Sequence, residues 1–278
     1  MELGLSNKHI LVTGGAGGIG KAIVKLLHEE GANISLHYNK SKERALEIQK
    51  NCDPKKVQLV QGDLRKEDDV KNIFSSAIDN YGRIDYLIAN AATASPERAL
   101  TSDITLERWN NTIQTNLTGV FLCVREFFNN LKQFPDKFGS AVLIGSTAGE
   151  FGEAGHADYS ATKAAMMYGL TKTWKNEIVK FAPLGRINTV APGWVYTKMA
   201  EGTLDDTEAL KKILQTIPMS KIAVTEDIAH AVVFLLSEIT SGHISGQTLM
   251  IHGGMEGRLL YEKDEVDLSF TNKYKKSI

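Results

Sequence analysis

Short runs of aliphatic and β-branched residues alternate along this chain with longer stretches in which apolar side chains recur every three or four positions. His9 to Thr13 reads as a strand, Ile19 to Glu30 as a helix ended by Gly31, and Asn33 to Tyr38 as a second strand. Ser41 to Asn51 reads as a helix with Ser41 in the N-cap position. Val57 to Gln61 is a strand, Glu67 to Tyr81 a helix stopped by Gly82, and Ile84 to Ala89 another strand. A helical pattern then runs from Thr105 to Phe134, where Pro135 ends it, followed by a strand over Ala141 to Ser146. Asp158 to Phe181 is a second long helix before Pro183, Arg186 to Ala191 a strand, Thr225 to Ser237 a helix, and Gln247 to His252 the last strand. Strands this apolar, alternating with helices, predict an α/β fold: one doubly wound parallel sheet with helices on both faces.

No repeat, low-complexity tract or Gly/Ser/Pro linker divides the chain, so residues 1–257 read as one domain. Within it Trp194 to Thr225 is a long connection suited to a lid. Residues 258–278 form a polar tail in which Lys273, Lys275 and Lys276 cluster.

Composition narrows the function. Of 278 residues, 42% are hydrophobic and 23% charged, which supplies a core and argues against disorder. The 32 basic and 33 acidic residues give a formal net charge of −1, so no global field draws the chain to nucleic acid or to an anionic membrane. Cys52 and Cys123 are far apart, and the seven histidines form no cluster, so neither a disulfide framework nor a metal site is expected. No apolar run is long enough to span a membrane, and the first residues reach a strand without a targeting pattern; a cytoplasmic protein is expected.

Two features carry chemistry. Thr13-Gly14-Gly15-Ala16-Gly17-Gly18-Ile19-Gly20 lies between the first strand and the first helix. Glycines there allow a tight turn and let backbone N–H groups approach a phosphate at a helix N-terminus, so the turn reads as a dinucleotide cradle. Further on, Tyr159 and Lys163 stand four apart in a helical pattern and share one face. A cation beside the phenol favours phenolate and lowers the tyrosine pKa. Ser146 closes the fifth strand, where its hydroxyl can bond a substrate carbonyl while the phenol exchanges a proton with the same oxygen. A Tyr/Lys pair at this spacing is common on solvated helices; the glycine turn and the serine give this one its weight.

With those residues in view, the chain resembles the short-chain dehydrogenase/reductase family over roughly Leu5 to Gly254. The resemblance rests on Thr13 to Gly20, Asp63-Leu64, Asn90-Ala91, Asn116, Ile144-Gly145-Ser146, Tyr159-Ser160-Ala161-Thr162-Lys163, Pro192-Gly193, Ile244 to Gln247 and Gly253-Gly254. It implies a Rossmann-type sheet and a hydride transfer between a nicotinamide cofactor and a carbonyl or secondary alcohol. Tyr159 would be the general acid/base, Ser146 would orient the carbonyl, and Lys163 would also hold the nicotinamide ribose. Asn116 would anchor a water in a proton relay from Lys163. The implied cofactor contacts are Gly14, Gly18, Ile19, Gly20, Tyr38, Asn39, Lys40, Asp63 and Leu64 on one side. Asn90, Tyr159, Lys163, Pro192, Gly193, Val195 and Thr197 complete them, with Asp63 at the adenine and Thr197 at the carboxamide. Two segments depart from the family pattern: Ala89-Asn90-Ala91-Ala92 stands where NNAG is usual, and His252-Gly253-Gly254 where DGG is common.

The second strand ends without an acid until Glu43, while Lys40 and Lys42 can meet a 2′-phosphate. This favours NADP over NAD, although Gly17 puts no basic side chain in the turn. Ile217-Pro218-Met219 with Glu226-Asp227-Ile228-Ala229 resembles 3-oxoacyl-thioester reductases; a sugar or polyol dehydrogenase is the alternative, and a non-catalytic dinucleotide sensor the rival from another class. Glu150, Glu153 and His156 are further candidates near the substrate. Phe121, Phe127, Phe128, Met166, Met167 and Trp174 exceed what one helix face needs, and relatives assemble through these helices, so a homotetramer or homodimer is expected.

Overall fold

The computed structural model describes residues 2–259 and 262–269; Lys273, Lys275 and Lys276 lie outside the described residues. In chain order the elements are β1 (His9–Val12), α1 (Gly18–Glu29), β2 (Asn33–Tyr38), α2 (Lys42–Lys50), β3 (Val57–Gln61), α3 (Glu67–Tyr81) and β4 (Tyr86–Ala89). They continue with α4 (Leu106–Ile113), α5 (Gly119–Gln133), β5 (Ser140–Ile144), α6 (Thr147–Phe151), α7 (Ala157–Ala164), α8 (Thr171–Ile178) and β6 (Arg186–Pro192). Last come α9 (Glu201–Leu204), α10 (Thr207–Leu214), α11 (Thr225–Leu236), α12 (Glu238–Ser241) and β7 (Thr248–Ile251).

The strands form one seven-stranded sheet in the order β3-β2-β1-β4-β5-β6-β7. Every pairing is parallel. Side chains alternate between its faces. Ile10, Val12, Val142 and Ile144 enter a core closed by α1 and α11. Leu11, Ala141 and Leu143 enter the opposite core with Val124 and Phe127 of α5 and Ile178 of α8. Burial on both faces is what makes these strands read as unbroken apolar runs.

Two differences from the sequence reading follow from geometry that periodicity cannot carry. Each long helix is interrupted by a π turn, over Gln114–Thr118 and over Ala165–Leu170. One extra residue per turn leaves the apolar spacing almost unchanged but rotates what lies in the turn. Strand β5 also stops at Ile144, so Ser146 lies beyond it as the N-cap of α6, its Oγ accepting from the Ala148 N–H at 3.1 Å. Ser41 occupies the N-cap position of α2 without a side-chain cap bond.

The lid segment carries α9 and α10 and packs on a small cluster of its own, built from Tyr196, Leu204, Leu210, Leu214, Ile217 and Ile222. Val266 and Leu268 join that cluster, and Lys263 pairs with Glu208 of α10. Part of the segment expected to be a separate tail is thus attached to the lid. Of the side chains held to favour assembly, Phe127, Met166, Met167 and Trp174 are core and Phe128 packs partly against it; Phe121 is exposed. No helix among the described residues is long and apolar enough to cross a membrane, and no group of potential metal ligands occurs among them.

Candidate active site

Strand β1 is flanked by β2 on one side and β4 on the other, so the chain leaves the sheet in opposite directions at its carboxyl edge and opens a crevice there. The glycine turn fills the start of that crevice. Gly14 has φ +64°, and a Cβ on it would lie 2.8 Å from the Ala91 Cα. A Cβ on Gly20 would lie 2.3 Å from the Gly14 carbonyl oxygen. At Gly14 and Gly20 the turn therefore has no room for a side chain, and it presents backbone at the N-terminus of α1, the chemistry a pyrophosphate needs.

Neighbouring strands hold it in place. Asn90 Nδ2 donates to the Thr13 and Gly14 carbonyls, both at 3.0 Å, and Gly15 N–H donates to His37 O at 2.9 Å. His37, unnoticed in the sequence, accepts the Gly14 N–H at Nδ1 (3.1 Å), which places its proton on Nε2, facing the Gly62 carbonyl at 3.0 Å. Burial lowers its pKa and keeps it neutral for that pair of bonds. Thr13, the first residue of the glycine motif, is a second strut, its Oγ1 accepting from the N–H groups of Asn90 and Ala91. An apolar strand buried on both faces gives no signal for the bonds that His37 makes.

The other expected cofactor residues converge on the same edge. Tyr38 is buried at the end of β2, with Asn39 and Lys40 exposed beyond it. Leu64 is buried, while the Asp63 carboxylate takes the Arg65 guanidinium at 2.6 and 2.9 Å, which lowers its pKa. Thr197 lies over the turn, its Cγ2 3.0 Å from where a Gly18 Cβ would stand. Pro192 ends β6, Gly193 follows with His252 packed against it, and Val195 bridges to Ala223. Ile19 packs partly into the core beneath α1.

On the facing side, the first turns of α7 bring Tyr159 and Lys163 beneath the loop that carries Ser146. Lys163 Nζ donates to the Ile144 carbonyl at 2.6 Å and lies 5.5 Å from the Tyr159 ring centroid. Burial strips its charge of solvent and pulls its pKa down to about 7. Burial likewise drives the Tyr159 phenol up to about 12; the hydrogen bond with Ser146 opposes this, and the Glu153 carboxylate adds to it. The expectation that Lys163 lowers the phenol's pKa is therefore reversed here. Burial sets the direction, and Tyr159 is a protonated donor at neutral pH.

Asn116 sits in the first π turn, fully buried. Its Oδ1 accepts the Thr93 N–H and its Nδ2 donates to the Thr93 carbonyl, both at 2.7 Å. The side-chain amide is thus committed to the loop after β4, with Thr162 Oγ1 of α7 at 3.5 Å. Glu153 and His156 frame the start of α7, His156 as its N-cap residue and buried, with its Nε2 4.0 Å from a Glu153 carboxylate oxygen. Glu150 is exposed on α6.

A family model described as enoyl-(acyl carrier protein) reductase matches residues 14–256. The chain is 33% identical over 251 residues to a 3-oxoacyl-[acyl-carrier-protein] reductase of Staphylococcus epidermidis, covering 90% of this chain and 99% of the relative. It is 33% identical over 253 residues to the enzyme of the same description from Thermotoga maritima, covering 90% and 98%. Among solved structures, a glucose/ribitol-dehydrogenase-type short-chain dehydrogenase/reductase from Brucella melitensis superposes with a TM-score of 0.83 at 27% identity, covering 93% of this chain and all of that one. A short-chain dehydrogenase/reductase mutant from Serratia marcescens gives 0.81 at 28% identity, covering 90% and 98%.

Proposed function

The chain belongs to the short-chain dehydrogenase/reductase family and is an oxidoreductase, and from that premise we propose that it reduces a 3-oxoacyl-type carbonyl with NADPH. The observation that carries this reading is the half-buried, protonated Tyr159 with Lys163 5.5 Å from its ring, together with a glycine turn in which Gly14 and Gly20 leave no space for a Cβ. When bound, the nicotinamide supplies the hydride. The chain's own residues do the rest. Ser146 orients the carbonyl oxygen, and Tyr159 delivers a proton to it as charge develops there. Lys163 shares the Tyr159 helix face and takes the ribose; Asn116 holds Thr93 in the wall of the crevice. Gly14, Gly18, Ile19 and Gly20 would hold the pyrophosphate, Asp63 and Leu64 the adenine side, and Asn90, Pro192, Gly193, Val195 and Thr197 the nicotinamide end.

Preference for NADPH rests on Lys40 and Lys42, exposed just past β2 where no acid intervenes before Glu43. The 3-oxoacyl assignment draws on the Staphylococcus and Thermotoga relatives. A sugar or polyol substrate is the second reading, favoured by the Brucella structure. A cytoplasmic homotetramer or homodimer belongs to the same proposal, with exposed Phe121 as its contact. The decisive assay follows the absorbance of the reduced nicotinamide, consumed from NADPH or NADH with 3-oxoacyl thioesters and simple ketones, and formed from NADP+ or NAD+ with a sugar and polyol series. Turnover of thioesters with NADPH is the expected result. Oxidation of sugars alone would replace the proposal with the second reading, and binding without turnover of any compound would make the chain a sensor.

A further inference from the structure

A single guanidinium joins three segments beside Tyr159. Arg108, in the first turn of α4, donates from Nε and Nη2 to the two oxygens of Asp158, each at 3.1 Å. The same group reaches the Glu97 carbonyl from Nη1 at 2.9 Å and the Gly155 carbonyl from Nη2 at 3.0 Å. His156 Nδ1 lies 3.5 Å from Nη2. Asp158 is the residue before Tyr159; its side chain is 1% exposed and also accepts from Thr112 Oγ1 at 2.8 Å. A buried carboxylate in the first turn of α7 is stable because this fork, Thr112 and the helix N-terminus all face it.

The two carbonyls belong to the loop after β4 and to the loop between α6 and α7, the second of which leads directly into the helix of Tyr159. They are also joined to each other. Ala99 N–H donates to Gly155 O at 3.1 Å, and Gly155 has φ +88° with only 2.9 Å between an ideal Cβ and the Arg98 Cβ. On its outer side the first loop faces the lid. Arg98 lines a cleft of about 420 Å³ with Thr203, Asp206 and Lys212 of the α9–α10 segment. The inner end of this polar chain holds the catalytic helix, and its outer end forms the wall that the lid meets.

We infer that Arg108 is a positioning residue for substrate. It fixes the wall formed by residues 97–99 and 155–156 at a set distance from Tyr159, so that a carbonyl compound entering past the lid is presented to the phenol in register. The inference rests on the reductase reading of the site. Its physical basis is that a planar guanidinium satisfies a carboxylate and two carbonyls at once, which neither an ammonium nor an apolar side chain can do.

The test compares the parent with Arg108→Met, Arg108→Lys and Asp158→Asn, by hydrogen exchange and by steady-state kinetics with NADPH and a carbonyl substrate the parent turns over. Arg108→Met should raise exchange at least ~10-fold in residues 93–100 and 152–157 while the glycine turn keeps parental protection. KM for the carbonyl compound should rise at least ~10-fold with NADPH affinity within about twofold of the parent. Asp158→Asn and Arg108→Lys should fall between, lysine recovering charge but not the fork. Exchange that rises throughout the sheet, or unchanged loops, overturns the clamp. Loosened loops with parental KM overturn its part in the reaction. Should the parent reduce no carbonyl compound, the reductase reading fails on that observation, and the exchange pattern still decides whether the clamp exists.

Discussion

The nucleotide crevice and the lid meet where Thr197 lies over the glycine turn, and they are built on different terms. At the crevice, the glycine turn is fastened to both neighbouring strands, with Thr13 N–H on Ile88 O at 2.9 Å and Gly15 N–H on His37 O at 2.9 Å. Gly14 and Gly20 pack so closely that a Cβ on either would meet backbone atoms within 3 Å. The lid is joined to the body through a neck: Tyr196 N–H to Ala223 O at 3.0 Å, Ala223 N–H to Trp194 O at 3.1 Å, and Met219 N–H to Gly253 O at 3.2 Å. Beyond the neck it rests on a small cluster of its own buried side chains, joined by Val266 and Leu268 and by the Lys263–Glu208 pair. A segment with a separate small core can open at a cost well below that of global unfolding, whereas the crevice can open only with the sheet. Under the proposed function, rigid backbone would face the part of the ligand that does not vary, and a separable body the part that does.

The largest effect should come where the two regions meet. Tyr159→Phe keeps the ring and removes the proton, so kcat should fall at least ~100-fold with NADPH affinity and lid protection unchanged. Near-parental turnover in the folded variant would remove the proposed chemistry from both regions.

A matched pair breaks the comparison directly. Gly20→Ala forces a Cβ to 2.3 Å from a backbone oxygen that cannot retreat, and should lower Tm and weaken NADPH together. Leu214→Ala empties the lid's small core, and should leave NADPH affinity near parental while raising exchange across residues 194–217. In the parent, cofactor with a substrate analogue should slow exchange in that segment. Full protection before any ligand is added would make the lid a fixed subdomain.

A smaller effect concerns which cofactor the rigid side accepts. Replacing Lys40 and Lys42 with Ala should weaken NADPH more than NADH, read as two dissociation constants at low ionic strength, since both lysines are exposed and screened by salt. Equal losses would make them ordinary surface charges.

The smallest is a pH dependence of stability. Lys163 holds its proton to about pH 7 in the fold and to 10.5 when unperturbed. Between those values the unfolded chain carries a proton that the folded chain has released, so folding gains as pH rises across this window; below it the burial penalty is fully present. Lys163→Met removes that penalty. Its stability relative to the parent should therefore be greatest near about pH 6 and shrink towards about pH 9, by urea unfolding at each pH. A constant difference would mean that the amine is not desolvated.

Much of this protein is decided locally. The sheet, its parallel sense and its helices follow from the alternation of apolar runs, because a strand buried on both faces is mostly apolar, its few polar residues such as Ser35 and His37 each finding a partner inside, and a helix against it must present one apolar stripe. The glycine turn and the Tyr159/Lys163 spacing were legible for the same reason: each is chemistry contained within a few consecutive residues. What the tertiary structure alone decided are relations between residues distant in sequence and terms set by burial. Periodicity could not reveal the π turns, since one added residue changes a direction and not a pattern, and so it missed that Asn116 clasps Thr93. It could not join Arg108 to Asp158, fifty positions on. Nor could it give the sign of the Tyr159 shift, because a neighbouring amine lowers a phenol's pKa only where solvent or a partner lets that amine keep its charge. Desolvation depends on everything packed around a group, and only the assembled fold supplies that.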